Sequence, residues 1–128
     1  MQAIAIENPG AYYPLVAKEV PEPRPGAGEI LIRVAGAGLN HADLLQARGK
    51  YPPPDGAPDT PGMEVSGTVA ELGPGVRRVS AGDKVAALLA GGGYADFAVA
   101  PEQCVLSLPA SLDLVEAAAL PEALFTVW

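Results

Sequence analysis

The chain has 128 residues and a mass of 13.0 kDa, with 49% hydrophobic and 18% charged residues, which is enough for one cored domain and tight for two. A net charge of -7, with eight Lys and Arg of which only Arg77 and Arg78 are adjacent, excludes a phosphate backbone as main partner, because nonspecific nucleic-acid affinity comes from clustered cations. One Cys permits no intrachain disulfide, no apolar run reaches a membrane span of about 18 residues, and the N-terminus has no basic signal region, so a soluble cytoplasmic protein with neither membrane nor nucleic acid as partner is expected.

"MQAIAIE" and "LVAKEV" flank the turn "NPG" and read as an opening β-hairpin, followed by the Pro-rich loop "PEPRPGAGE". "EILIRVAGAGLN" places Ile30, Ile32 and Val34 on one period-2 face and reads as the clearest strand. "HADLLQARG" lacks β-branched residues and ends at Gly49, which predicts a helix of about two turns. "YPPPDGAPDTPG" is a Pro-rich crossing without regular structure. "MEVSGTVAELGPGV" returns to strand, with Gly67 marking a bulge or a close backbone approach.

"AGDKVAALLA", "GYADFAVAP" and "CVLSLP" read as three further strands separated by turns. "SLDLVEAAALPEALFTVW" reads as helical, with Asp113 and Glu116 spaced as a capping box and Pro121 as a break or kink. The expected fold is mainly β with short helices, its sheet curled into a small, partly open barrel. The apolar ending "ALFTVW" either folds back on the domain or packs against something else.

The stretch from Leu39 to Pro54 gathers Asn40, the single His41, Asp43 and Tyr51. A zinc site needs three or four suitable ligands, and one His with one Cys falls short, so no metal is expected. Asn40 is well explained as a helix N-cap, Asp43 as a first-turn carboxylate favoured by the helix dipole, and Tyr51 as a cover for apolar surface. His41 reads as a partly exposed side chain and Cys104 as a small buried hydrophobe. The Gly clusters fit neither G-x-G-x-x-G nor the phosphate-binding P-loop, and His41 has no convincing Ser partner. From the residues alone, a β-rich domain with a polar lip from Asn40 to Tyr51 emerges, and no reaction.

"PGMEVSGTVAELGPGVRRVSAGDKV" resembles the signature of the medium-chain dehydrogenase/reductase superfamily, in its quinone oxidoreductase branch, with Gly62, Glu64, Gly67, Val69, Gly73, Val76, Gly82, Asp83 and Val85 on the pattern. "AGLNHADLLQARGKYPPP", "LAGGGYADFAVAP" and "EAAALPEALFTVW" extend the likeness over the whole chain, closest to the zeta-crystallin-like, stress-induced quinone oxidoreductases. The resemblance implies a GroES-like N-terminal catalytic domain over residues 1–128. Residues 113–128 would begin the crossover to a Rossmann domain absent from this chain.

It implies NADPH as cofactor, a quinone or related enone as substrate, a homodimer in full-length form, and inactivity of the 128 residues alone. Asn40 and Tyr51 would line the catalytic cleft, Asn40 and Thr126 would lie against the cofactor, and Glu64 would brace the signature loop. Zinc-dependent members carry Cys and His where this chain has Asn40 and Met63, and their four-Cys lobe is missing here, so the resemblance implies zinc independence. The competing expectations are a stand-alone GroES-like binding or oligomerisation module and a zinc alcohol dehydrogenase portion.

Overall fold

The structure is a computed structural model that describes residues 1–127; the expectation for Trp128 lies outside the described residues. Strands β1 (Gln2–Ile6) and β2 (Leu15–Glu19) form the opening antiparallel hairpin. Strands β3 (Glu29–Ala37), β4 (Glu64–Leu72), β5 (Lys84–Leu88), β6 (Phe97–Pro101) and β7 (Val105–Ser107) build an antiparallel sheet in the order β6-β3-β4-β5-β7. An isolated bridge between Ala3 and Ala95, with Ile4 N–H donating to the Tyr94 carbonyl at 2.8 Å, carries the hairpin onto the larger sheet. The result is the expected mainly β, partly open barrel.

The period-2 pattern decides what lies inside. Ile30 and Ile32 of β3 meet Val65 and Val69 of β4, Val85 of β5 and Val105 of β7 in one buried cluster. Each such side chain contributes roughly 1.5–3 kcal/mol on burial. Gly67 sits in β4 where a Cβ would lie 2.0 Å from the Arg33 carbonyl oxygen, so only a glycine allows β3 and β4 to approach here. The register shifts beside it, between Val34 and Gly36, so the close approach and the bulge are one feature.

Helix α1 (His41–Ala47) has the expected two turns and ends at Gly49, whose φ of 74° is the left-handed stop. Helices α2 (Leu114–Ala117) and α3 (Pro121–Val127) are separate, as Pro121 requires, and the Asp113 carboxylate accepts from Glu116 N–H at 3.1 Å at the start of α2. The buried Ser66 hydroxyl donates to the Leu114 carbonyl and ties α2 to β4. Leu124, Phe125 and Val127 stay exposed, so α3 does not fold its apolar side back on the barrel.

The Pro-rich crossing is irregular, as expected, and is pinned to the Gly-rich turn before β6. Gly92 N–H donates to the Thr60 carbonyl at 2.7 Å, Gly93 N–H to Gly62 at 3.1 Å and Tyr94 N–H to Pro61 at 3.0 Å. These bonds bring Tyr94 beside α1.

Candidate functional site

Four segments converge at the N-terminus of α1. Asn40 has extended backbone at the N-cap, and its N–H donates to Asp43 Oδ2 at 2.9 Å. The Asn40 side chain looks the other way: Nδ2 donates to Glu64 Oε1 at 3.0 Å, at the first residue of β4. The second oxygen, Glu64 Oε2, accepts from Glu122 N–H at 2.9 Å, in the first turn of α3. Its carboxylate therefore joins Asn40 to α3 rather than bracing the signature loop. Gly38 makes room for it, since a Cβ there would lie 2.1 Å from Glu64 Oε1.

Behind Asn40, the Tyr94 hydroxyl donates a short bond to Asp43 Oδ2, with the Gly38 carbonyl 3.3 Å away. Burial, then the bond to Asp43, then the charges of Asp43 and Glu64 push the Tyr94 phenol well above its usual value of about 10. It stays protonated and serves as a fixed donor. Asp43 is 8% exposed and Glu64 3%, and Asp43 Oδ1 is a buried oxygen without a partner. No Lys, Arg or His joins this network among the described residues.

Of the three expected site residues, Asn40 lies at the centre of this network. Thr126 is exposed on α3, and its Oγ1 donates to Glu122 Oε1 at 3.4 Å, so it connects to Asn40 through Glu122 and Glu64. Tyr51 does not join them. It lines a separate depression of about 370 Å³ with Ile6, Pro9, Gln46 and Asp59, exposed and without a side-chain hydrogen bond among the described residues. Another cavity, about 570 Å³ between β6 and the Pro-rich loops, is lined by residues such as Arg24, Asp55, Pro58 and Phe97 and contains none of the three.

Reading the sequence missed Tyr94, Asp43 and Glu122 as members of one group. The spacing from Asp43 to Tyr94 to Glu122 carries no local pattern that could have found them.

The network offers oriented, neutral hydrogen-bonding groups at a half-exposed lip, backed by two buried carboxylates. Such a set can hydrogen-bond an uncharged polar group and, among the described residues, offers no cation to an anionic one. No group of three or more His, Cys, Asp or Glu among the described residues is arranged to hold a metal ion. His41 is exposed at the start of α1, and Cys104 is half-buried and free. No helix among the described residues is long and apolar enough to cross a membrane.

Fold and site together make a partly open antiparallel barrel with a polar lip at its first helix. Residues 26–110 match the alcohol dehydrogenase GroES-like domain. The chain belongs to that family, within the quinone oxidoreductase branch of the medium-chain dehydrogenase/reductase superfamily.

It is 40% identical over 110 residues to a chloroplast envelope quinone oxidoreductase homolog of Arabidopsis thaliana, covering 82% of this chain and 33% of that protein. A mycobacterial protein solved in complex with NADPH superposes with a TM-score of 0.80 at 34% identity, over 99% of this chain and 40% of that one. A cobalt- and zinc-bound alcohol dehydrogenase from Pyrobaculum aerophilum superposes with a TM-score of 0.76 at 35% identity, over 94% of this chain and 44% of its own. The chain thus spans between a quarter and a third of the length of the first curated relatives it matches. Several of the relatives it matches are named as oxidoreductases, among them quinone oxidoreductase-like protein 2 of Bos taurus and an acryloyl-coenzyme A reductase of Sulfurisphaera tokodaii.

Proposed function

We propose that this domain forms the substrate side of a zinc-independent, NADPH-dependent reductase of quinones or related enones. The observation that carries the reading is the Asn40 carboxamide, half exposed at the start of α1 and held from behind by Glu64. A neutral amide stands there where, by family resemblance, zinc-dependent members carry a metal-ligating Cys. When bound, the cofactor supplies the hydride, and the domain supplies orientation and exclusion of water.

Asn40 holds the carboxamide of the nicotinamide or the oxygen of the substrate. Thr126 offers a hydroxyl to the same ligand from α3. Tyr51 closes the substrate side from the mouth of the Pro-rich crossing. Residues 113–128 lead into a dinucleotide-binding domain, whose apolar surface covers Leu124, Phe125 and Val127, and the full-length protein pairs as a cytoplasmic homodimer.

The test is NADPH oxidation by the full-length protein against a panel of quinones and enones, before and after treatment with a chelator. Turnover that survives chelation supports the reading. No oxidation with any acceptor, or activity restored only by zinc, overturns it. The same exposed apolar side of α3 favours one second reading, a stand-alone module that pairs through it. Sedimentation of the 128-residue chain as a monomer at high concentration would exclude that module.

A further inference from the structure

We infer that Glu64 is a positioning residue that couples Asn40 to helix α3, so that the lip of the site and the helix bearing Thr126 move as one unit. The inference rests on the reading of Asn40 and Thr126 as ligand-facing groups. The coupling itself needs no ligand.

Three observations converge. The Glu64 carboxylate is buried, and its two oxygens are divided between two donors that the chain separates widely, Asn40 Nδ2 at 3.0 Å and Glu122 N–H at 2.9 Å. Glu122 N–H is an orphan donor of a helix start: Pro121 before it has no N–H, and the first turn offers no intrahelical acceptor. A carboxylate is the favoured partner at that end of a helix. The strand end is shaped around the same group, because any Cβ on Gly38 would overlap Oε1, Cδ and Cγ of Glu64 at 2.1, 2.6 and 2.7 Å.

A packing role alone would need none of this division. One rigid carboxylate accepting from both sides means that a shift of α3 drags on the Asn40 amide, and an Asn40 displaced by ligand pulls on α3. Binding at the lip therefore biases the angle at which α3 leaves the barrel.

The test uses the 128-residue chain and isotope-labelled NMR. Glu64→Gln keeps the side-chain shape but offers one acceptor oxygen and one donor nitrogen to two donors, so one bond must fail. The expected result is a shifted, faster-exchanging Asn40 side-chain NH₂ signal or about tenfold or greater loss of exchange protection at Glu122 N–H, with the β3–β4 amides unchanged.

Asn40→Ala, which removes only the far partner, should lower protection at Glu122 severalfold. Unchanged Glu122 exchange in Asn40→Ala, or an equal loss of protection across α3 and the β-sheet in Glu64→Gln, would overturn the coupling. If the coupling holds while the full-length protein reduces no quinone or enone, the functional reading fails and the positioning role stands.

Discussion

Replacing Gly38 with Ala should destabilise the domain solely through Glu64. The Gly38 backbone is not in the left-handed region, so alanine is tolerated conformationally. By lowering the entropy of the unfolded chain it would contribute about 0.4–1 kcal/mol of stability. Against that, the three atoms nearest the new Cβ are Oε1, Cδ and Cγ of Glu64, at 2.1, 2.6 and 2.7 Å. The carboxylate must leave, which breaks its bonds to Asn40 Nδ2 and Glu122 N–H.

Hydrogen bonds to a charged group contribute about 1.5–3 kcal/mol each, so the net loss is about 2–5 kcal/mol. For a domain of this size that lowers Tm by roughly 10 °C or more. In a Glu64→Ala background all three clashing atoms are absent, and Gly38→Ala should then be neutral or slightly stabilising. The assay is a double-mutant cycle by thermal and urea unfolding. An equal loss from Gly38→Ala in both backgrounds would refute the reasoning, because the new methyl would then be meeting something other than Glu64.

Tyr94→Phe should cost about 1–3 kcal/mol in urea unfolding by leaving the buried Asp43 carboxylate short of a donor. Because folding raises the Tyr94 pKa, its contribution is complete below about pH 10 and lost as pH climbs above it. The variant should therefore show an alkaline fall in stability shallower by about one proton, and parallel curves would argue against a fixed phenol donor.

Tyr51→Phe in the full-length enzyme should reduce turnover while moving Tm little, since Tyr51 is exposed and its hydroxyl makes no hydrogen bond among the described residues; a matching drop in Tm would point to a scaffold role. Gly67→Ala should destabilise severely, by about 3 kcal/mol or more, because the clash at 2.0 Å is with the Arg33 backbone carbonyl, which no rotamer can relieve. A soluble Gly67→Ala variant with wild-type Tm would contradict the register of β3 and β4.

Local patterns wrote much of this fold into the chain. Ile30 and Ile32 fall on one face because a pleated strand shows its two faces alternately, so that part of the core could be read without coordinates. The stop at Gly49, the cap at Asp113 and the break at Pro121 are likewise set by the residue and its immediate neighbours. The family signature from Gly62 to Val85 also lies within one contiguous stretch.

What the tertiary structure alone decided is the company each polar residue keeps. Asp43 is the first-turn carboxylate its position predicts, and Asn40 stands at the N-cap by its backbone, but its side chain bonds Glu64 rather than capping the turn. Yet the partners that orient them, Glu64, Tyr94 and Glu122, come from the start of β4, the turn before β6 and the start of α3. Conversely, Tyr51 stands close to Asn40 in sequence and takes no part in its hydrogen bonds. Hydrogen bonds between side chains act over about 3 Å in space and carry no sequence period. Which strand ends and turns meet is fixed by how the sheet closes, so the network around Asn40 exists only once the barrel does.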